Sequence, residues 1–268
     1  EIRSPLVVGA SFIGLEFLEI FYLNGISPTL LARGPHFFSE ILDARGGELM
    51  HENFTRHGIT AIYNDSPSAL ERVDTGVTVT THGLRQLRHD AVALCIGITR
   101  NVDFLLNSGV IFSEKGIHVD EFLQTNYEGV YAAGDAAFYF DPLTASHRSV
   151  GNWTSAFLQG RRAGGNMAGA REPFNAVPQY SITNLGLQIT ALGDCENPDG
   201  STVKVDGALQ RYERLFFKKD YIAGAVLINS SQDQAHIAKL IQTKTSIAQY
   251  RAALFGDSFD IRTVPVVT

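Results

Sequence analysis

Cysteine is scarce in this sequence, which has two, Cys95 and Cys195, among 268 residues. Their number and wide separation exclude a disulfide framework or a CxxC site within the chain and favour a reducing compartment, so we expect the cytoplasm. Cys95 stands inside an apolar run, where we expect a small core residue rather than a nucleophile. Cys195 follows Asp194 in a turn-rich stretch and has no nearby partner in the sequence.

A field of basic charge and a long apolar run are also missing. The net charge is −6, which argues against nucleic acid as a partner. No apolar run approaches the ~20 residues that cross a bilayer, and no signal-type segment precedes the first strand. The chain starts at Glu1 without an initiator methionine, so we expect a fragment or processed piece of a soluble protein without a membrane partner.

Metal-ligand spacing is another feature that the sequence lacks. The segment "HENFTRH" superficially resembles a zinc-binding helix, but its histidines, His51 and His57, are not four positions apart. A helix brings two histidines onto one face at a spacing of i, i+4. We therefore predict a surface helix there and no metal site.

What the sequence does contain is a glycine fingerprint, "VVGASFIGLE", near its start. Residues 5–9 form an apolar run that ends in glycine, which is typical of a strand and a tight turn. Apolar residues then recur at helical spacing over 12–23, and Asn24 and Gly25 supply a stop. The pattern predicts a strand, a turn and a helix.

The residue types in this turn suit a dinucleotide. Gly9 allows the sharp turn, Gly14 lets the helix pack close to the strand, and the first helical amides form an anion site for a pyrophosphate. Ser11 replaces the usual middle glycine, and its hydroxyl offers one more donor. The alternative is a glycine-rich turn that serves packing alone. The candidate nucleotide-binding residues are Gly9, Ala10, Ser11, Phe12, Ile13 and Gly14.

The following segments extend the fingerprint into a βαβ unit. A second strand, "SPTLLAR", comes next, then a predicted helix over 48–57 and a third strand over 59–63. Arg33 stands at the end of the second strand, where NAD-binding units place an acidic residue and NADP-binding units an arginine. Arg33 thus favours NADPH, unless it is a solvated charge at a strand end.

Five later stretches complete the sequence pattern. "VTVTT" at 77–81 indicates a hairpin, and "DAVALCIGITRN" at 90–101 a buried strand that leaves through Gly97. "GVYAAGDAAFYF" at 129–140 is a β-rich segment that reaches Gly134 and Asp135. Strand-like segments at 179–192 and 211–229 precede apolar residues at helical spacing.

In this order and approximate spacing, "VVGASFIGLE", "LCIGITRNVDFL" and "TNYEGVYAAGDAA" resemble the two-dinucleotide flavoprotein reductases, the pyridine nucleotide-disulfide oxidoreductase family, over about residues 5–230. The resemblance implies an α/β fold in three parts. These are a Rossmann-type NAD(P) domain at 1–112, the returning part of an FAD domain at 113–172 and a C-terminal α+β interface domain at 173–268. It also implies that the first half of the FAD domain lies upstream of Glu1, so we expect this chain alone to bind FAD poorly.

The resemblance assigns roles to individual residues. It implies that Asp135, beside Gly134, binds the flavin ribityl chain and that Glu16 lies near the nicotinamide. It implies further that Trp153 and Thr154 begin a helix aimed at the flavin ring. Read without it, Asp135 is a turn or N-cap residue, Trp153 a core aromatic and Glu16 a solvated helix residue. No catalytic residue is assigned.

The resemblance also points to a branch of the family. The C-terminal part lacks the His-x-x-x-x-Glu pair of the disulfide-reducing members, and the crossover reads Thr99, Arg100, Asn101 instead of Arg-Pro-Asn. "YSITNLGLQITALGD" resembles the rubredoxin, ferredoxin and nitrite reductase branches instead.

The branch implies an FAD-dependent NAD(P)H oxidoreductase that passes electrons to a small redox protein or another acceptor, with a homodimer left open. The alternatives are a disulfide- or mercuric-type reductase, which "LLARGPHFF" favours, and an inactive nucleotide-binding module. In the family, a glycine at the position of Gly14 favours NADH, whereas Arg33 favours NADPH. We therefore expect the chain to use both nucleotides, with a preference for NADPH.

Overall fold

The computed structural model describes residues 2–196, 198–256 and 259–266, which form sixteen strands in four sheets and four α-helices. The strands are β1 Pro5–Val8, β2 Thr29–Leu31, β3 Thr60–Ile62, β4 Pro67–Val73, β5 Gly76–Thr81, β6 Gln86–His89, β7 Ala91–Leu94, β8 Phe112–Ser113, β9 Gly116–Val119, β10 Ala137–Asp141, β11 Ser146–Arg148, β12 Gln179–Asn184, β13 Leu187–Gly193, β14 Gly200–Asp206, β15 Arg211–Lys218 and β16 Tyr221–Ile228. The helices are α1 Phe12–Leu23, α2 Ala44–Arg56, α3 Trp153–Met167 and α4 Gln234–Thr243.

The first sheet is parallel and has the order β3-β2-β1-β7. Every residue of β1 is buried, since side chains cover both faces of the sheet. On one face, Leu15 and Leu18 of α1 are fully buried against it. The chain turns to opposite sides of β1 when it builds β2 and β7, and this reversal opens a crevice at the carboxyl end of β1. The α/β fold class that we predicted is confirmed.

A three-stranded antiparallel sheet, in the order β4-β5-β6, lies on the other face of the first sheet. Val79 of β5 packs with Leu6, Val8 and Leu31 in one small buried cluster. This sheet therefore seals the second face of β1 and β2.

The second unit is the sheet β11-β10-β9-β8 together with α3. Its core holds Val119, Tyr139, Ala163 and Phe174. The segment that leads to Gly134 pairs with its neighbours through one isolated bridge, between Gln124 and Tyr131. Residues 130–133 thus belong to none of the described sheets, and Gly129 before them lies in a turn with a φ of +77°.

The third unit is an antiparallel sheet in the order β12-β13-β16-β15-β14. One of its faces packs on α4 through Ile237, Leu240 and Ile241. The other face joins the same core cluster as α1 and α2, to which Tyr212 and Phe216 contribute. The first and third units therefore share one hydrophobic core.

Two elements differ from the sequence-based expectation. α2 begins at Ala44, four residues before the predicted start, with Asp43 as its N-cap. The segment predicted as a buried strand over 90–101 is a strand over Ala91–Leu94 only, and its end is open: Leu94, Ile96 and Ile98 are 54%, 68% and 59% exposed. β7 is an edge strand, so nothing in the described chain covers these side chains. The predicted domain limits stay a prediction.

Among the described residues, no helix combines the length and the apolar character that crossing a membrane requires.

Candidate functional site

The turn between β1 and α1 holds Gly9, Ala10, Ser11, Phe12, Ile13 and Gly14 at the crevice of the parallel sheet. Gly9 has a φ of +116°, and a Cβ there would lie 2.3 Å from the carbonyl oxygen of Cys95. A Cβ on Gly14 would lie 2.4 Å from the carbonyl oxygen of Gly9. Both glycines are required because backbone approaches backbone at these points.

Ser11 is the N-cap of α1. Its Oγ accepts a hydrogen bond from the Gly14 N–H at 3.1 Å and donates one to the carbonyl of Cys95 at 2.9 Å. We expected the Ser11 hydroxyl to donate to a phosphate. It donates to the Cys95 carbonyl instead and so connects the end of β7 to the start of α1. The N–H groups that Ser11 does not cap, together with the helix dipole, remain as the anion site.

The α1 side chains beyond the turn face the third unit. Phe12 lies between the rings of Phe38 and Tyr180, with centroid distances of 4.6 and 4.3 Å. One turn further on, Glu16 Oε1 accepts a hydrogen bond from the Tyr180 hydroxyl at 3.3 Å. Glu16 is therefore paired and partly buried rather than a solvated helix residue.

Arg33 lies apart from this cluster, just after β2. Its Nη2 is 3.7 Å from Glu40 Oε1, and both side chains are more than four-fifths exposed. Such a pair is weak in water, so a ligand phosphate could replace the carboxylate as the partner of the guanidinium.

The segment around Gly134 and Asp135 forms a 3-10 turn between residues 133 and 137. Gly134 has a φ of +81°, and its N–H donates to Gln159 Oε1 of α3 at 2.9 Å. The carbonyl of Asp135 accepts from Arg100 Nε at 2.8 Å, while the Asp135 side chain stays exposed. Because Arg100 lies just after β7, it ties the first unit to this turn.

α3 begins at Trp153, as predicted, after the N-cap Asn152, whose Oδ1 accepts from the Ser155 N–H at 2.8 Å. Trp153 is 91% exposed, so the interpretation of it as a core aromatic is wrong. Thr154 is exposed beside it. A large aromatic ring that is left in solvent at a helix start suits a stacking ligand.

Sequence reasoning missed three residues of this site: Arg100, Gln159 and Tyr180. Arg100 stood in the sequence as a departure from a motif, with no signal that it reaches Asp135. Gln159 belongs to the helical stretch that begins at Trp153, and its exact spacing to Gly134 depends on the fold. Tyr180 carries no local signal, since its partners Phe12 and Glu16 are far away in the chain.

Both thiols have pKa values above the ordinary value of a cysteine. Burial raises the pKa of Cys95, and burial together with the charge of Asp194 raises the pKa of Cys195 to about 12. A nucleophilic or redox cysteine needs a lowered pKa. The described ranges of the chain also contain no group of three metal-ligating side chains.

The arrangement fits the two cofactors that the sequence suggested. Gly97 has a φ of +114° and open space where a Cβ would stand, so a nucleotide can approach the backbone there. The exposed Asp135 carboxylate and Trp153 ring offer a hydrogen-bond acceptor and a stacking surface to a flavin. Which of the predicted residues make these contacts stays a prediction.

Comparison with known proteins gives two family matches. The model described as pyridine nucleotide-disulphide oxidoreductase matches residues 3–160, and the rubredoxin NAD+ reductase C-terminal domain matches residues 178–245.

The individual relatives have low sequence identity to this chain and are longer than it. Apoptosis-inducing factor 3 of Mus musculus is 26% identical over 94% of this chain, and the CoA-dependent NAD(P)H sulfur oxidoreductase of Pyrococcus furiosus is 28% identical over 74%. The chain covers 42% and 45% of their lengths. A ferredoxin reductase of the CYP199A2 system from Rhodopseudomonas palustris shares the fold, with a TM-score of 0.87, 21% identity, 97% coverage of this chain and 64% of that one.

Proposed function

This chain belongs to the pyridine nucleotide-disulphide oxidoreductase family, and on that premise we propose that it is the nucleotide-binding and electron-transfer part of an FAD-dependent NAD(P)H oxidoreductase. The proposed reaction passes a hydride from the nicotinamide to the flavin and electrons onward to an acceptor. When bound, FAD would supply the chemistry that accepts a hydride and releases its two electrons one at a time and its proton. The chain would supply binding and orientation.

The hydrogen bond from Arg100 Nε to the Asp135 carbonyl is the observation that carries this proposal. Hydride transfer requires two cofactors held at a fixed distance and orientation. Arg100 follows β7, which borders the nucleotide crevice, and Asp135 lies in the proposed flavin turn. The bond therefore fixes the two proposed sites relative to each other within one chain.

Several residues of the chain would contact the two cofactors. The first turn of α1 binds the pyrophosphate with its free N–H groups, and Arg33 binds the 2′-phosphate of NADPH. The start of α3 and the Asp135 carboxylate orient the flavin. We propose that the chain uses both nucleotides with a preference for NADPH. Arg33 is cationic, and the end of β2 presents no carboxylate that would bind the ribose 2′-hydroxyl of NADH.

A small acidic redox protein is the acceptor that the charges favour. A groove of about 320 Å³ is lined by the cations Arg100, Lys115, Arg148 and Lys218 and by the carboxylates Asp194 and Glu196. Arg148 pairs with Asp141 and Lys218 with Asp194, which leaves Arg100 and Lys115 as the cations that would attract an acidic partner to a chain of net charge −6. The similar solved structure is, by its name, a ferredoxin reductase.

The compartment and assembly belong to the same proposal. Two free, widely separated thiols support the cytoplasm. A homodimer stays open, and sedimentation of the purified chain would decide it.

The experiment is a titration of the purified chain with NADPH, NADH and FAD in a calorimeter, together with its visible spectrum. We expect binding of both nicotinamide nucleotides. Absence of nucleotide binding would overturn the proposal. Because we expect this chain alone to bind FAD poorly, nucleotide binding without flavin is the expected result, and FAD retained stoichiometrically through gel filtration would contradict that expectation. Cys95 and Cys195 have raised pKa values, so the disulfide-type alternative would require cysteines other than these two.

A further inference from the structure

The first residues of β12 lie between the starts of two helices. Tyr180 contacts the beginning of α1 through Phe12 and Glu16. Its neighbour Gln179 borders a small cavity of about 10 Å³ that Thr154 and Ser155 of α3 also line. The proposed nucleotide helix and the proposed flavin helix thus meet the same strand, which comes from the third unit.

The hydroxyl of Tyr180 has a defined partner. It donates to Glu16 Oε1 at 3.3 Å, and burial and the Glu16 charge raise the pKa of the phenol. The phenol therefore stays protonated and remains a donor across the physiological pH range. Since the bond uses Oε1, Glu16 Oε2 is left to accept a hydrogen bond from a ligand.

The ring of Tyr180 fixes a second side chain. It packs on Phe12 at a centroid distance of 4.3 Å and an interplanar angle of 49°, and Phe38 packs on Phe12 at 4.6 Å. Phe12 is the first residue of α1, so these two rings hold the aromatic side chain at the entrance to the anion site in one orientation.

We propose that Tyr180 is a positioning residue, which orients the Glu16 carboxylate so that it accepts a hydrogen bond from the carboxamide of a bound nicotinamide. The inference rests on the proposed function. Arg33 marks the adenosine end of the crevice, because it follows β2. The nicotinamide must approach the flavin helix for hydride transfer, and Tyr180 lies on the strand that contacts both helices.

Paired ligands test this role. ADP-ribose is NADH without the nicotinamide ring, and 2′-phospho-ADP-ribose is the corresponding part of NADPH. We expect Tyr180→Phe, which keeps the ring on Phe12, to weaken NADH and NADPH binding about threefold to tenfold and to leave binding of the two shortened ligands unchanged. Tyr250→Phe, in the same unit but far from α1, is the matched control and should change none of the four affinities.

A second variant separates orientation from folding. Glu16→Gln should weaken the two dinucleotides and spare the shortened ligands, and the double variant should lose no more than the larger single loss. Equal losses for complete and shortened ligands, or no loss for any of them, would overturn the role of Tyr180. If the wild-type chain binds none of the four ligands, the proposed function itself fails, and this inference fails with it.

Discussion

At the scale of single residues, the structure separates glycines that are required from one that is not. Gly14 of α1 has a backbone oxygen 2.4 Å from the position of a Cβ, whereas Gly160 of α3 has nothing within 4 Å. We expect Gly14→Ala to lower the free energy of unfolding by about 1–3 kcal/mol and to weaken nucleotide binding, because the helix must move away from β1.

Gly160→Ala is the matched control in another helix. We expect it to raise the free energy of unfolding by about 0.4–1 kcal/mol. Urea denaturation of both variants measures these changes. A neutral Gly14→Ala variant would show that α1 can shift away from β1 without cost.

Arg33 decides nucleotide preference at the same scale. We expect Arg33→Ala to weaken NADPH binding about tenfold and to leave NADH binding nearly unchanged, because an exposed guanidinium contributes at the lower end of charge-assisted hydrogen bonds. Calorimetric titration with both nucleotides gives the two affinities. Arg251→Ala, which removes a partly buried arginine that pairs with Asp220 at 3.6 Å, is the control. Equal losses for both nucleotides would mean that Arg33 does not contact the 2′-phosphate.

The residues of the nucleotide turn could be predicted because their requirement is local. Gly14 is required by the backbone of Gly9 and Gly9 by its positive φ, so the motif shows both, although the Cys95 carbonyl that also crowds Gly9 is distant in the chain. The contacts of Arg100 with Asp135 and of Tyr180 with Glu16 could not be predicted, since each joins residues from different units. Only the folded chain fixes which side chains meet there.

At the scale of elements, packing explains where prediction and structure differ. The sequence did not predict the first turn of α2, because this turn contains Gly46 and Gly47 and glycine is a poor helix former. The structure gives the reason for the pair: a Cβ on Gly46 would lie 2.9 Å from the Tyr212 ring, and one on Gly47 would lie 2.3 Å from the His36 ring. Helix α1 contains a single glycine, Gly14, and its predicted limits of 12–23 agree with the structure.

A carboxyl pair joins β15 to the segment before α4. Glu213 accepts a hydrogen bond from Ser230 and lies near Asp233, with Lys204 of β14 and Arg262 of the C-terminal turn as the nearby cations. Burial and the charge of Asp233 raise the pKa of Glu213 above its ordinary value. The folded chain therefore binds the Glu213 proton more tightly than the unfolded chain does. The stability that this proton contributes is present at low pH and is lost as the pH rises through the raised pKa.

Glu213→Gln should remove this penalty. We expect its melting temperature at neutral pH to exceed that of the wild type by about 1–4 °C, and the difference to vanish below the ordinary glutamate pKa, where both folded and unfolded wild-type chains carry the proton. Scanning calorimetry across pH measures it, and Glu114→Gln, at an exposed site, should show no difference at any pH. A lower melting temperature of Glu213→Gln at neutral pH would contradict the expectation.

At the scale of the whole molecule, the shared core makes the first and third units one cooperative body. Tyr212 is fully buried in that core, and its hydroxyl donates to Asp43, the N-cap of α2. We expect Tyr212→Ala to lower the free energy of unfolding by about 3–5 kcal/mol, with a single transition for both units. Tyr212→Phe should cost only about 1–2 kcal/mol, since it keeps the ring and removes the two hydrogen bonds between the hydroxyl and Asp43.

Denaturation followed separately by nucleotide binding and by far-ultraviolet circular dichroism tests this prediction. Coincident curves indicate one body. Two transitions in the wild type would show that residues 173–268 unfold independently of the parallel sheet, as a separate domain would.

The state of the two thiols has a practical consequence. Cys95 gives its carbonyl, not its sulfur, to the Ser11 hydroxyl, and the raised pKa values of Cys95 and Cys195 keep both sulfurs protonated. Alkylating reagents should therefore label the native chain slowly. A single cysteine engineered at an exposed position, such as Leu84→Cys on the loop between β5 and β6, would accept a spin label or fluorophore selectively. The protein is thus a suitable background for distance measurements between its units.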